Sequence, residues 1–225
     1  MEANPTYVPA VRVHTSVLAA AEKRLLVRIA QRLPHRINSD HLTALAAVSM
    51  AGTGAAFWAG SAHLWTLALV IPTLALNWFG DSLDGTLARV RRQERPRYGY
   101  YVDHVLDVVG FIWLVMGFVL GGWMSPIAGV VFLAAYYLLM IDITLATHSR
   151  GAFRMSFWGM GPTELRIVLA AGAVALITRG AHVSLFGRQW LLFDVGGLVA
   201  AAGLLVTFAA SAVRNGVALY RQERL

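Results

Sequence analysis

Apolar residues in this chain gather into six blocks separated by short polar stretches. The blocks run from about His41 to Ala59, Ala62 to Gly80, Tyr100 to Leu120, Pro126 to Thr144, Glu164 to Thr178 and Val195 to Val213. Most approach the ~20 residues that a helix needs to span a bilayer. The fifth is short in its purely apolar part, and its helix is free to start before Glu164. Pro72, inside the second, is tolerated where neighbouring helices and side chains satisfy the freed backbone groups. Glycine and alanine recur throughout, as close helix contacts in membranes prefer. Ahead of the blocks, the segment Ser16–Leu33 interleaves Leu18, Leu25, Leu26, Val27, Ile29 and Leu33 with Lys23, Arg24, Arg28 and Arg32, the pattern of an amphipathic helix on an anionic membrane face. The pattern predicts an all-α polytopic membrane protein with about six transmembrane helices after an N-terminal amphipathic surface helix. Residues 1–37 form the N-terminal segment and 38–225 the transmembrane domain. Residues 1–37 lack the apolar core and small-residue cleavage site of a signal peptide. No internal repeat or low-complexity linker interrupts the plan.

Composition sharpens this picture. The chain is 57% hydrophobic and 14% charged, far from the balance of a soluble domain. Without cysteine it can form neither a disulfide framework nor a thiolate metal site. The net charge of +7 raises nucleic acid as a partner, but the basic residues lie between apolar blocks and read as topology signals instead. Seventeen of the nineteen fall on one side: Arg12 to Arg36, Arg89 to Arg97, Arg150, Arg154 and Arg166, and the tail from Arg214. Only Arg179 and Arg188 fall on the other. The positive-inside rule therefore places both termini on the cytoplasmic side of the cell inner membrane.

The chemistry concentrates between the second and third blocks. Asp81 and Asp84 are three apart and share a helix face with Gly85 and Ala88; Asp103 and Asp107 are four apart on the next helix, with Gly99 one turn earlier. The segment from Val90 to Tyr98, with four arginines and Pro96, reads as a turn in water. Two antiparallel helices would bring four carboxylates together at the cytoplasmic end. Carboxylates beside a bilayer mark function by default, and hard cations such as Mg²⁺ or Mn²⁺ take oxygen ligands of this kind together with substrate phosphate. The small residues leave room for a nucleotide to approach the backbone. The simpler alternative, aspartates paired with nearby arginines in a solvated loop, leaves two facing acidic stripes unexplained. Around the cluster, Asp40 reads as a helix cap or first-turn acid, Asn38 as a cap or a nucleotide contact, and Asn77 as a border of the site. Arg89, Arg91 and Arg92 read as diphosphate contacts or topology signals. Asp194 reads as a cap on the far side, and Asp142 lies near the cytoplasmic end of the fourth block.

The spacing D-x2-D-G-x2-A-R-x9-G-x3-D-x3-D, filled by Asp81, Asp84, Gly85, Ala88, Arg89, Gly99, Asp103 and Asp107, resembles the signature of the CDP-alcohol phosphotransferase family. The resemblance implies transfer of a substituted phosphate from a CDP-linked donor to an alcohol with release of CMP. It implies Asp81, Asp84, Asp103 and Asp107 as ligands of Mg²⁺ or Mn²⁺, two ions in all. It also implies Asp81, Asp84, Gly85, Ala88, Arg89 and Gly99 as contacts of the CDP moiety, and a homodimer among membrane lipids. His104, in D-H-V-L-D, and Glu164, in G-P-T-E-L-R, resemble the choline/ethanolamine phosphotransferase branch, in which the matching residues activate a lipid hydroxyl. Asp107 is the rival base. The chain is much shorter than eukaryotic members of that branch. The alternative cargo is a CDP-diacylglycerol donor with a small polar acceptor such as inositol phosphate, serine or glycerol phosphate, its phosphate held by Arg150, Arg154 and Arg166. An ion-coupled transporter would not need the glycine and alanine spacing. A prenyltransferase of the Asp-rich type would carry a second, distant aspartate motif, which this sequence lacks.

Overall fold

The computed structural model describes residues 11–13, 19–150, 152–154 and 162–223, with side chains over 22–150 and 162–223. Seven α-helices make up nearly all of it: α1 (Ala19–Arg32), α2 (Ser39–Ala59), α3 (Val70–Arg91), α4 (Pro96–Leu120), α5 (Pro126–Arg150), α6 (Pro162–Arg179) and α7 (Leu192–Gln222). A 3-10 helix at Leu64–Leu69 leads into α3. Two short ladders complete the described residues. β1 (Val11–Val13) pairs in parallel with β2 (Ala152–Arg154), and β3 (His182–Leu185) forms a hairpin with β4 (Arg188–Leu191) between α6 and α7. The start of the expected surface helix, Ser16 to Leu18, and the Arg154 side chain lie outside the described residues.

The protein is an all-α polytopic membrane protein. Among the described residues, five segments are long and apolar enough to cross a bilayer: α2, the continuous run Leu64–Arg91, α4, α5 and α7. Outward faces carry apolar side chains into the surroundings, such as Val48 at 71%, Ile127 at 79% and Val199 at 69% exposure. α6 fills the place of the fifth apolar block. With 18 residues it is about 27 Å long, close to the ~30 Å of a hydrocarbon core, but Glu164, Arg166 and Arg179 dilute its apolarity.

Long-range contacts sort the helix ends into two groups. At one end, the site end, Arg91 donates to the carbonyls of Leu33 (2.9 Å) and Pro34 (3.0 Å), Arg95 pairs with Asp40, and Arg150 donates to Asn215 (2.6 Å). At the other, the far end, the Trp123 indole donates to the Phe57 carbonyl (2.7 Å) and the Ser125 amide to Asp194 (2.6 Å). α2 and α3 therefore run antiparallel, as do α3 and α4, while α5 and α7 run side by side in the same direction. The residue pattern explains the junctions. Asn38 caps α2, accepting from the His41 amide at 2.9 Å while its own amide donates to His41 Nδ1. Asp40 is the first-turn acid. The α3–α4 connection is shorter than the expected Val90–Tyr98 loop. Arg92 adopts a left-handed φ of 54° that stops α3, and Pro96 occupies the first turn of α4, where its missing N–H costs nothing. Asp194, read as a cap on the far side, accepts there from the Ser125 amide ahead of α5.

Two cores hold the helices. The larger, toward the far end, stacks Phe57, Phe118 and Phe193, with ring centroids 4.6 Å apart for the first two and 4.5 Å for the last two. The smaller joins Leu26 and Ala30 of α1 to Leu42, Leu83 and Leu87 of α2 and α3. The apolar face of α1 thus packs on protein at the site end, with Leu25 left exposed beside it.

Candidate active site

The site is a narrow cleft between α2, α3 and α4, walled by Ala46, Met50, Leu106 and Gly110 and lined by Thr43, Asn77 and the four expected aspartates. α3 delivers Asn77, Asp81 and Asp84 on one face because the residues are four and three apart; α4 delivers Asp103 and Asp107 by the same rule. Asp81, Asp103 and Asp107 each offer an oxygen, all within 4.8 Å of one another. Asp84 is held at the edge: its Oδ2 accepts from Thr43 (2.6 Å), its Oδ1 from the Gly85 amide (2.5 Å), and its carbonyl from Ser39 (2.9 Å). The structure thus gathers three of the four acids into one group and ties the fourth to α2.

The small residues of the motif behave differently from the glycines nearby. A Cβ added at Gly80 would sit 2.4 Å from the Leu42 carbonyl, so that glycine permits α3 to pack on α2. A Cβ at Gly85 would meet only the Arg89 guanidinium, at 3.5 Å, and at Gly99 nothing within 4 Å. Packing within the chain does not require glycine at either position.

Arg166 is the main addition that sequence reasoning placed elsewhere. From the first turns of α6 it reaches across to α3, donating from Nε to Asn77 Oδ1 (2.7 Å) and from Nη2 to Asp81 Oδ2 (2.5 Å). The pair is largely enclosed, with side-chain exposure of 11% for Arg166 and 23% for Asp81. Its Nη1 is buried with no hydrogen-bond partner among the described residues. Asn77 also donates to the Ala46 carbonyl (2.9 Å), so it braces α2, α3 and α6 together. The remaining arginines divide. Arg91 is occupied by the α1–α2 connection, Arg89 donates to Thr86 (3.2 Å) beside Gly85, and Arg92 is exposed at the turn.

His104 and Glu164 do not line the cleft itself. The His104 ring lies over Tyr100, centroids 4.1 Å apart, and its Nδ1 is 2.8 Å from the Tyr100 carbonyl. A carbonyl only accepts, so in the neutral ring Nδ1 carries the proton and Nε2 the lone pair. Glu164 is half-buried in the first turn of α6. Its neighbours fix its place: Arg166 grips Asn77 and Asp81, and Thr163 donates to Glu22 of α1 at 3.0 Å. Glu22 Oε1 also accepts from Trp78 (2.6 Å) and Ser82 (3.2 Å) of α3. Nothing in the residue pattern singles out Glu22 beyond an acid among the cations of α1.

The donor set fits a divalent cation. Three carboxylate oxygens converge, hard ligands of the type Mg²⁺ and Mn²⁺ take, and like charges this close repel unless a cation offsets them.

The family model described as CDP-alcohol phosphatidyltransferase matches residues 37–210, from the start of α2 into α7. No curated protein matches the chain.

Proposed function

The chain belongs to the CDP-alcohol phosphatidyltransferase family, and on that premise we propose that it passes the substituted phosphate of a CDP-alcohol, such as CDP-ethanolamine or CDP-choline, to a lipid alcohol. As a family member it is a membrane transferase of substituted phosphate groups in phospholipid synthesis; the head group and the direction of cargo are our reading. The observation that carries it is the convergence of Asp81, Asp103 and Asp107 beneath a helix start that bears Glu164.

In this reading Asp81, Asp103 and Asp107, with Asp84 at the edge, would hold two Mg²⁺ or Mn²⁺ ions. When bound, such ions neutralise diphosphate charge and favour in-line displacement. Gly85, Ala88 and Gly99 leave space for the CDP moiety along α3 and α4, and Arg89 meets its phosphates at the mouth. Thr43 fixes the Asp84 carboxylate, and Arg166 fixes that of Asp81. Glu164 takes the proton of the lipid hydroxyl as its oxygen bonds to phosphorus. The bond from phosphorus to the bridging oxygen breaks, and that oxygen leaves with CMP. His104, with its lone pair on Nε2, relays the proton or steadies the base. In this reading the site end faces the cytoplasm from the inner membrane, where nucleotide-activated donors are found; the arginine distribution supports that orientation. In this reading the protein works as a homodimer, as the family resemblance implies.

The experiment is a panel. Purified protein is given CDP-ethanolamine, CDP-choline or CDP-diacylglycerol with diacylglycerol or small polar acceptors, and release of CMP is followed. Turnover with a CDP-amino-alcohol and diacylglycerol is the expected result; turnover only with CDP-diacylglycerol overturns the direction of cargo. That second reading has an observation of its own in Arg166 Nη1, a buried donor that an anionic acceptor oxygen would satisfy.

A further inference from the structure

α1 is outside the cleft and outside the family match, yet one of its side chains touches two of the helices that carry the chemistry, α3 and α6. Glu22 Oε1 receives three hydrogen bonds, from the Trp78 indole at 2.6 Å, the Thr163 hydroxyl at 3.0 Å and the Ser82 hydroxyl at 3.2 Å. Two of the donors come from α3, four residues apart and immediately flanking the turn that carries Asp81. The third comes from α6 and is the residue before Glu164. Hydrogen bonds to a carboxylate are the stronger kind, and here a single oxygen fastens α3 to the first turn of α6.

The second fastening lies on a different face of α3. Arg166, three residues after Thr163 and so on the same side of α6, holds Asn77 and Asp81. These are the residues just before Trp78 and Ser82, rotated by about 100° around the helix. α6 is therefore pinned to α3 at two points, one before Glu164 and one after it. Other packing on α6 at this level is partial: Leu165 is half-buried against the larger core, and the buried apolar residues, Leu169, Ala173 and Leu176, all lie further along. α1 itself is anchored independently, by Leu26 and Ala30 in the small core and by Arg91 at its C-terminal end.

We propose that Glu22 is a positioning residue for the transfer reaction: through Thr163 it sets the height and rotation of the first turn of α6, and so the reach of Glu164 to the acid cluster. The consequence for Glu164 rests on the reading above, in which that residue is the base. Removing the carboxylate frees one of the two pins, and displacement of a reacting group by about 1 Å costs on the order of 100-fold in rate. Donor binding, which uses α3 and α4, stays as it was.

The test compares wild type, Glu22→Ala, Glu22→Gln, Thr163→Val and the double variant Glu22→Ala/Thr163→Val. Turnover, donor KM and hydrogen–deuterium exchange of the first turns of α6 are measured on each. Glu22→Ala is expected to lower kcat by about 10- to 100-fold, with donor KM within twofold and faster exchange confined to residues 162–168. Glu22→Gln, which keeps an accepting oxygen, recovers most of the loss. The double variant is no slower than Glu22→Ala, because both changes break the same link. Wild-type turnover in Glu22→Ala, a parallel loss of donor affinity, or additive losses in the double variant each overturn the proposal. Glu164→Gln is run alongside. If that variant alone retains full turnover, the base assignment fails while the exchange and the double-variant comparison still decide the role of Glu22.

Discussion

Glycine serves opposite purposes at the two ends of the bundle. At the far end, Gly54 and Gly117 let α2 and α4 meet backbone to backbone: an added Cβ would lie 2.3 Å from the Trp113 carbonyl in one case and 2.3 Å from the Gly54 carbonyl in the other. The crossing is sealed by Phe57, Phe118 and Phe193. At the site end, Gly85 and Gly99 border open space, and buried side chains give way to carboxylates, Asn77 and Thr43. Gly54 and Gly117 exclude everything from their crossing; at the site end Gly80 does the same between α2 and α3, whereas Gly85 and Gly99 leave room for something to enter. A membrane bundle gains little from burying apolar side chains that lipid solvates equally well, so its helices associate through such close contacts and through polar links. Both kinds of glue are present, and both reach the cleft: Gly80 packs against Ala46, while Asn77 donates to the Ala46 carbonyl and Thr43 to Asp84.

The largest effects should come from breaking the site end. Asp103→Asn or Asp107→Asn is expected to abolish turnover, by well over the roughly 10- to 100-fold seen when even the outer partners of metal ligands are lost. The helical circular dichroism and the melting temperature should stay unchanged or rise, since a repelling charge has gone. Full activity in both variants removes the acid group from the mechanism.

Next comes the proton. Glu164→Gln should lower turnover about 10²- to 10⁴-fold, and His104→Ala by less, with donor affinity held in both. If affinity falls in step with turnover, these residues belong to the donor site; if Asp107→Asn alone is inactive, Asp107 is the base.

The smallest effects separate the two kinds of glycine. Gly54→Ala should destabilise by about 1–3 kcal/mol through overpacking, visible as a lower melting temperature with normal activity per folded molecule. Gly99→Ala should melt like wild type and show a several-fold rise in donor KM. A reversal of that pattern would mean that Gly99 serves packing after all.

The acid group was legible in the sequence because each pair is local: three or four residues on one helix fix a shared face, and Pro96 with the arginines marks the reversal between them. The amphipathic α1, the apolar blocks and the first-turn position of Glu164 were legible for the same reason. What escaped is non-local. Arg166 meets Asp81 across 85 residues and Glu22 meets Thr163 across 141; no periodicity links such pairs. Asp84 was grouped with the other three because its spacing matches, but Thr43, on a helix that spacing does not see, holds its carboxylate at the edge. The α3–α4 turn was overestimated because arginines at Arg91 and Arg97 read as solvent, whereas both lie within helices. The hairpin of β3 and β4 occupies a stretch too short to show alternation.

The central claim is that Asp81, Asp103 and Asp107 form a divalent-cation site. Binding of Mn²⁺ to purified wild type, Asp103→Asn and Asp142→Asn, read directly by the loss of the free-ion electron paramagnetic resonance signal, tests it without any assumption about substrate. Asp142 is the control, a buried acid on α5 outside the cleft. Wild type and Asp142→Asn should bind alike, with Asp103→Asn showing at most weak residual binding. Equal binding by Asp103→Asn, or none by wild type, would contradict the account.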